Sequence, residues 1–231
     1  MILKETERLD DLGDGVQIIQ SSALYTFTSD SVLLANFANV KKSDLVADYC
    51  TGSGIVAILL AKKYQPQKIY AVELQPEMAD MCLRSVEYNG LNECIEVLNE
   101  SVQGFGERFP RQSRRLFDVI TVNPPYGKKC TQFVSQTESA AIARHETALT
   151  LCELLDAVKA TLTFRGRVVL VYPCERLAEL MHEMKLRFIE PKRLQLVCPK
   201  RGAAPNVALI EGVYRGAEGL KVLPVAINGE E

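Results

Sequence analysis

The amino-acid sequence predicts an α/β protein with a doubly wound, mostly parallel sheet, and three observations carry that expectation. From Leu45 onward, apolar runs of strand length alternate with stripes at helical spacing, the pattern of a sheet covered by helices on both faces. A glycine-rich turn, Tyr49-Cys50-Thr51-Gly52-Ser53-Gly54, joins the first strand of that series to its first helix. Successive strands then stop at polar residues, Asp48, Glu73, Asn99 and Asn123. Four candidate functional groups therefore fall on the carboxyl edge, where such sheets bind ligands.

The elements follow in order. Gly13-Asp14-Gly15 is a turn signal before a short strand at 16–19, which makes a candidate hairpin. Ser29-Asp30 offers an N-cap for an apolar helix over 31–38, and this segment is expected to lie as a lid over a sheet edge. The core reads as strand 45–47, helix 55–63, strand 68–74, and a helix opened by Pro76 and closed at Asn89-Gly90. Strands 94–98 and 117–122 come next. Thr150 and Glu153 form a capping box for a helix that Gly166 breaks. Strand 168–172, a helix carrying Leu177, Leu180, Met181 and Met184, and closing strands 194–198 and 207–213 complete the chain. One domain over 1–231 is expected, with hairpin and helix in 1–43 and the core in 44–231.

Seven cysteines at 50, 82, 94, 130, 152, 174 and 198 form no CxxC pair, and two histidines cannot complete a zinc spacing. They are expected to be buried, reduced thiols of a cytoplasmic, metal-free protein. The chain starts with charged residues, and no stretch approaches the ~18 apolar residues of a membrane span. Net charge is −2, but residues 104–201 hold 17 Lys and Arg against 10 Asp and Glu, so they carry +7 and the remainder −9. Arg108, Arg111, Arg114, Arg115, Lys128, Lys129, Lys192, Arg193, Lys200 and Arg201 are the clusters concerned. A solvated face is the ordinary explanation; a surface that tracks phosphates is the sharper one.

The stretch Phe117 to Tyr126, FDVITVNPPY, carries the most chemistry. Two prolines end the strand because neither can donate a ladder hydrogen bond. Asn123, preceding a proline, is biased toward extended backbone at the mouth of the sheet. Its Oδ1 and the Pro124 carbonyl can each accept one N–H of a planar amino group, while Tyr126 covers the ring. Upstream, Gly52-Ser53-Gly54-Ile55-Val56-Ala57 satisfies G-x-G-x-x-A, which taken alone also fits a dinucleotide oxidoreductase. Glu73, about 20 residues beyond the glycines, suits a ribose diol. Asp48 suits a cationic ligand. A dehydrogenase needs an acid or base near strand 117–122, and NPPY has no group that titrates below pH ~10, so a methyltransferase using S-adenosylmethionine fits better.

With those residues in place, the chain resembles a Rossmann-like class I S-adenosylmethionine methyltransferase carrying an NPPY motif. Within that class it is similar to the bacterial tRNA(Val) adenine-37 N6-methyltransferase family. The segments concerned are ERLDDLGDG, TFTSDSVLLANFA, DYCTGSGIVAILL, VNPPY, ARHE at 143–146 and GLKVLPVAI. The resemblance implies a sheet with an antiparallel last strand. It implies cofactor contacts from Asp30, Asp48, Cys50, Thr51, Gly52, Gly54, Glu73, Leu74, Glu100, Ser101 and Asn123, and catalysis by Asn123, Pro124, Pro125 and Tyr126. It also implies tRNA contact through 127–146 and no membrane partner. Cys50 stands where the wider class has glycine, and Ser101 where many relatives have an Asp for the cofactor's adenine, a role Glu100 could take over. His145 in ARHE reads as structural, since amine methylation requires no general base.

The acceptor stays open at this level. A glutamine amide offers the same NH2, so a protein-glutamine methyltransferase of release factors is the chief rival, with other rRNA or DNA amino-methyltransferases beside it. The glutamine family carries a helical domain before its glycine loop, and 47 residues precede Asp48 here. A third reading is an RNA-binding protein that kept the fold and lost the cofactor.

Overall fold

The computed structural model describes residues 3–13, 15–24, 29–112, 116–124 and 149–229. Strands β1 (Glu7–Asp11) and β2 (Gln17–Ser21) form the expected antiparallel hairpin. The main sheet contains β3 (Leu45–Tyr49), β4 (Lys68–Glu73), β5 (Ile95–Asn99), β6 (Phe117–Val122), β7 (Leu162–Pro173), β8 (Ile189–Cys198) and β9 (Val207–Tyr214). Its order is β5-β4-β3-β6-β7-β9-β8, with short β10 (Lys221–Val222) and β11 (Ala226–Ile227) beside β8. All pairings of the main sheet are parallel except those of β9, which runs against both β7 and β8. The antiparallel strand is thus inserted between its neighbours, and the two short strands follow it in the chain.

Side-chain alternation along the strands builds two cores. Val46, Ile69, Ala71, Val119 and Val169 face one side, where they meet α1 (Ser29–Phe37), α2 (Ile55–Tyr64) and α3 (Pro76–Tyr88). Ala47, Tyr49, Val72, Ile120 and Leu170 face the other, against α4 (Val102–Gln112), α5 (Leu151–Thr161) and α6 (Leu177–Leu186). On that second side Phe109 stacks on Phe117 with centroids 4.5 Å apart, and Tyr70 packs edge-on against both. The capping box of Thr150 and Glu153 is present at the start of α5.

Four expectations need correction. The first helix starts at Ser29, so Ser29 and Asp30 lie in its first turn rather than before it. The N-terminal segment is no lid over a sheet edge: α1 packs into the core on one face of the sheet, and the hairpin docks on α3, where the Ile19 N–H donates to Ser85 Oγ at 3.0 Å and Arg84 reaches Glu7 at 2.6 Å and Asp80 at 2.9 Å. Arg84 holds the Glu7 carboxyl below its usual range. Gly166 does not end α5; it lies inside β7 at a register jump, where Phe117 pairs with Leu162 but Val119 with Arg167. Arg165 turns left-handed there (φ 64), and a Cβ on Gly166 would stand 2.9 Å from the carbonyl oxygens of Phe117 and Thr163. Of the described cysteines, only Cys82 and Cys198 are buried, and Cys152 is exposed.

Helix α4 had no counterpart in the sequence reading. Gly104, Gly106 and Pro110 lower its propensity, yet Val102, Phe105 and Phe109 line its buried face. Gly106 is where α4 crosses α5: a Cβ there would stand 2.8 Å from Ala157 Cβ and 3.0 Å from Ala157 Cα. The basic excess also looks different in three dimensions. Arg108, Arg167 and Arg193 hold Glu100, Asp44 and Glu211, carboxylates outside the basic segment, within 3.1 Å, so part of it is matched internally.

Because backbone lies behind the Ala157 methyl, Gly106→Val is expected to destabilise the fold by about 1–3 kcal/mol through overpacking. Urea denaturation checks this, and adding Ala157→Gly should recover part of the loss. An unchanged midpoint in the single variant would mean that the helices do not approach this closely.

Candidate active site

The chain runs outward from β3 through β4 to β5, then returns to β6 on the other side of β3. The switch in direction opens a crevice at the carboxyl ends of β3 and β6. Asp48 is 1% exposed beneath it. Its Oδ2 accepts from the Thr51 hydroxyl at 2.5 Å and its Oδ1 from the Thr121 hydroxyl at 2.7 Å. Burial pushes its pKa up to about 6, against the opposing pull of the two hydroxyls. One carboxylate thus ties the turn after β3 to the neighbouring strand across the switch.

The turn itself is left-handed at Cys50 (φ 56), Gly52 (φ 60) and Gly54 (φ 91). For Gly54 the need for glycine comes from packing as well, since a Cβ would lie 2.5 Å from Cys82 Sγ on α3. Cys50 adopts the same backbone region with a side chain, a strained choice. Its thiol is pushed up by burial and then by the charges of Glu73 and Asp48, so it is no thiolate nucleophile. Glu73 Oε2 accepts from the Gly52 N–H and Oε1 from the Gln75 N–H, both at 2.9 Å. Burial raises its pKa, while the N–H groups of Gln75, Gly52 and Leu74 oppose the rise. From the hairpin, buried Gln20 donates to Ser53 Oγ at 2.6 Å.

Beyond β5 the polar residues have structural partners. Asn99 Nδ2 donates to the carbonyls of Glu73 (2.9 Å) and Leu74 (3.0 Å), which fixes the end of β4 and leaves the Leu74 side of that turn 42% exposed. Ser101 Oγ accepts from the Gly104 N–H at 3.0 Å as the cap of α4. Glu100 pairs with Arg108 at 2.5 Å.

On the other flank, Asn123 follows the last residue of β6, and its Nδ2 donates to Ser31 Oγ on α1 at 3.0 Å. Pro124 is buried beside it. Pro125, Tyr126, Lys128, Lys129 and the rest of 127–146 lie outside the described residues. Asp30, next to Ser31, lines a cleft of about 470 Å³ with Pro173, Cys174, Glu175, Pro205, Asn206 and Val207. Asp30 therefore borders the ends of β7 and β9, whereas Asp48, Thr51, Gly52 and Glu73 gather at β3 and β4. Among the described residues no His, Cys, Asp and Glu cluster could hold a metal, and no helix is long and apolar enough to cross a membrane. Sequence reasoning missed Thr121, Ser31 and Gln20. The only signal for Thr121 was a polar residue next to the carboxyl end of a mostly apolar strand, and the other two are brought in from remote parts of the chain.

A crevice of this kind, under a glycine turn and flanked by a strand-end carboxylate, is that of a Rossmann-like α/β nucleotide-binding fold. The chain belongs to the TRM5/TYW2 methyltransferase domain family, which it matches over residues 32–152. It is 30% identical over 171 residues to the tRNA1(Val) (adenine(37)-N6)-methyltransferase of Shewanella sediminis, covering 74% of this chain and 65% of that protein. The enzyme of the same name from Shewanella baltica strain OS155 is 31% identical over 169 residues, covering 72% of this chain and 69% of the relative. Solved structures share the fold. TYW2 of Methanocaldococcus jannaschii (M. jannaschii) in complex with AdoMet has a TM-score of 0.57 at 16% identity, over 92% of this chain and 87% of that one. The M. jannaschii tRNA m1G37 methyltransferase has a TM-score of 0.60 at 12% identity, over 92% and 58%.

Asp48 generates a stability prediction. Its carboxyl has a pKa of about 6 when folded against a usual 3.8, so its contribution to stability is full below about pH 4 and lost as pH rises through about 6. Asp48→Asn removes that dependence. Between pH 5 and pH 8 the stability difference should move in favour of the variant by about 1 kcal/mol, as read by urea denaturation at both pH values. A pH-independent difference would show that Asp48 keeps an ordinary pKa.

Proposed function

We propose that the protein is an S-adenosylmethionine-dependent N6-adenine methyltransferase acting on an anticodon-loop adenine of tRNA, the activity for which its Shewanella relatives are named. The observation that carries this reading is the position of Asn123 and Pro124 at the end of β6, the strand next to β3 and its glycine turn. The donor set fits the cofactor. Glu73 keeps carboxylate lone pairs beyond its two backbone bonds and stands where a ribose diol would bind. The exposed apolar surface at Leu74 suits the adenine face. Gly52 and Gly54 let a ligand approach the backbone, and the buried charge of Asp48 favours a cationic methionine end. Cys50 and Thr51 shape that turn. Ser101 caps α4 and Glu100 pairs with Arg108, so the adenine contact there rests more on Leu74 than on a carboxylate.

When bound, S-adenosylmethionine supplies an electrophilic methyl group on a sulfonium. The residues of this chain prepare the other partner. An adenine amino group is a poor nucleophile because its lone pair is delocalised into the ring. Asn123 Oδ1 and the Pro124 carbonyl accept its two N–H groups and favour a more tetrahedral nitrogen, and orientation supplies much of the acceleration. Tyr126, outside the described residues, is assigned the stacking role by the family resemblance, and such a contact is worth about 1–3 kcal/mol. A loop adenine is already unpaired, which keeps the cost of presenting it small. The proton leaves to water after transfer.

With labelled cofactor, bulk unmethylated tRNA is expected to take up label as N6-methyladenosine, and a release-factor protein none. Asn123→Ala should abolish turnover and leave cofactor affinity unchanged. Glu73→Gln should weaken cofactor binding by about 1.5–3 kcal/mol, the scale of a hydrogen bond to a charged group. Label on a glutamine side chain would transfer the same chemistry to the rival acceptor and overturn the tRNA assignment.

A further inference from the structure

Asn123 can serve an amino acceptor only in one of its two amide orientations. An N–H facing the acceptor's own N–H would repel it, whereas Oδ1 facing it accepts a hydrogen bond. Proline follows Asn123 and restrains its backbone, but nothing in the local sequence decides which way the amide turns. The hydrogen bond to α1 favours one of the two orientations. Ser31, 4% exposed, places its hydroxyl oxygen 3.0 Å from Asn123 Nδ2 and so takes up the nitrogen end of the amide.

We infer that Ser31 is a positioning residue of the reaction: it holds the Asn123 amide with its nitrogen toward α1 and its oxygen toward the amino acceptor. This rests on the function proposed above. Helix α1 is suited to the task because it is fixed at both ends. At its start, Asn228 Nδ2 donates to Ser29 Oγ at 2.7 Å. At its end, the Arg193 guanidinium lies 4.4 Å from the Phe37 ring centroid, and the Tyr64 hydroxyl donates to the Ala38 carbonyl at 2.8 Å. Leu34 and Ala35 bury its face in the core between these points. A hydroxyl carried on such a helix is a fixed reference for the amide. A serine hydroxyl can also donate, so the alternative arrangement, with Ser31 bonded to Oδ1, has a definite and opposite consequence.

Three variants and two readouts test the inference. In Ser31→Ala, kcat for methyl transfer to tRNA is expected to fall about five- to ten-fold, the size of one lost neutral hydrogen bond, with the KM for S-adenosylmethionine unchanged. Ser31→Thr keeps the hydroxyl and should retain most of the rate, while Ser31→Gly should behave like Ala. Independently of any substrate, the side-chain amide protons of Asn123 are followed by NMR in asparagine-labelled protein, with Asn123→Ala identifying the signal. Their exchange with water should be slow in the wild type and in Ser31→Thr, and faster in Ser31→Ala and Ser31→Gly. Unchanged amide exchange in the Ala and Gly variants, or a Thr variant that folds normally but is as slow as Ala, overturns the inference. Absence of methyl transfer by the wild type to any tRNA would instead count against the proposed function, and the amide measurement would still decide the role of Ser31.

Discussion

A buried carboxylate at the end of a parallel sheet is costly, because burial removes its water and raises its pKa. Asp48 is held there by the hydroxyls of Thr51 and Thr121, and the geometry of the crevice depends on that arrangement. Thr51 belongs to the glycine turn and Thr121 to the strand that carries Asn123. The two sides of the switch are therefore tied through one side chain. Glu73 repeats the device one strand away, where it holds the Gly52 and Gln75 backbone. Burial raises the pKa of both carboxylates, and the hydroxyl and N–H groups they hold oppose that rise.

The two faces of the sheet divide the work. On the side of α4, α5 and α6, aromatic stacking around Phe105, Phe109 and Phe117 and the close crossing at Gly106 produce a rigid support for β6. On the side of α1, α2 and α3, the elements reach the site itself. Ser31 meets Asn123, Cys82 confines the turn at Gly54, and Gln20 meets Ser53. The hairpin that carries Gln20 is anchored on α3 through Arg84, Glu7 and Asp80. The N-terminal elements are thus part of the support of the site.

Charge is organised with the same economy. Glu211 is buried between Arg193 at 3.0 Å and Arg167 at 3.8 Å, and Arg167 also holds Asp44. This network joins β9, β8 and β7 to the approach to β3. Arg167 and Arg193, part of the basic excess in the sequence, are here matched by Asp44 and Glu211. Any attraction for RNA phosphates must come from the cations left over, and net charge over a segment is a poor guide to it.

The sequence by itself determined the alternation of strands and helices, the glycine turn, and the polar residues at Asp48, Glu73, Asn99 and Asn123, because strand period, helix period and turn chemistry are local properties. It also contained the antiparallel hairpin and the capping box at Thr150. It did not show α4, whose glycines and proline oppose its propensity while tertiary burial of Phe105 and Phe109 overrides it. It could not separate Ser101 the helix cap from Ser101 the ligand contact, since both need the same hydroxyl after the same strand. Only the tertiary structure decided that Asp48 is paired with Thr121, 73 residues away, and Asn123 with Ser31, 92 residues away. Hydrogen bonds of that separation depend on strand order and helix placement, and neither is written in any single stretch of the chain.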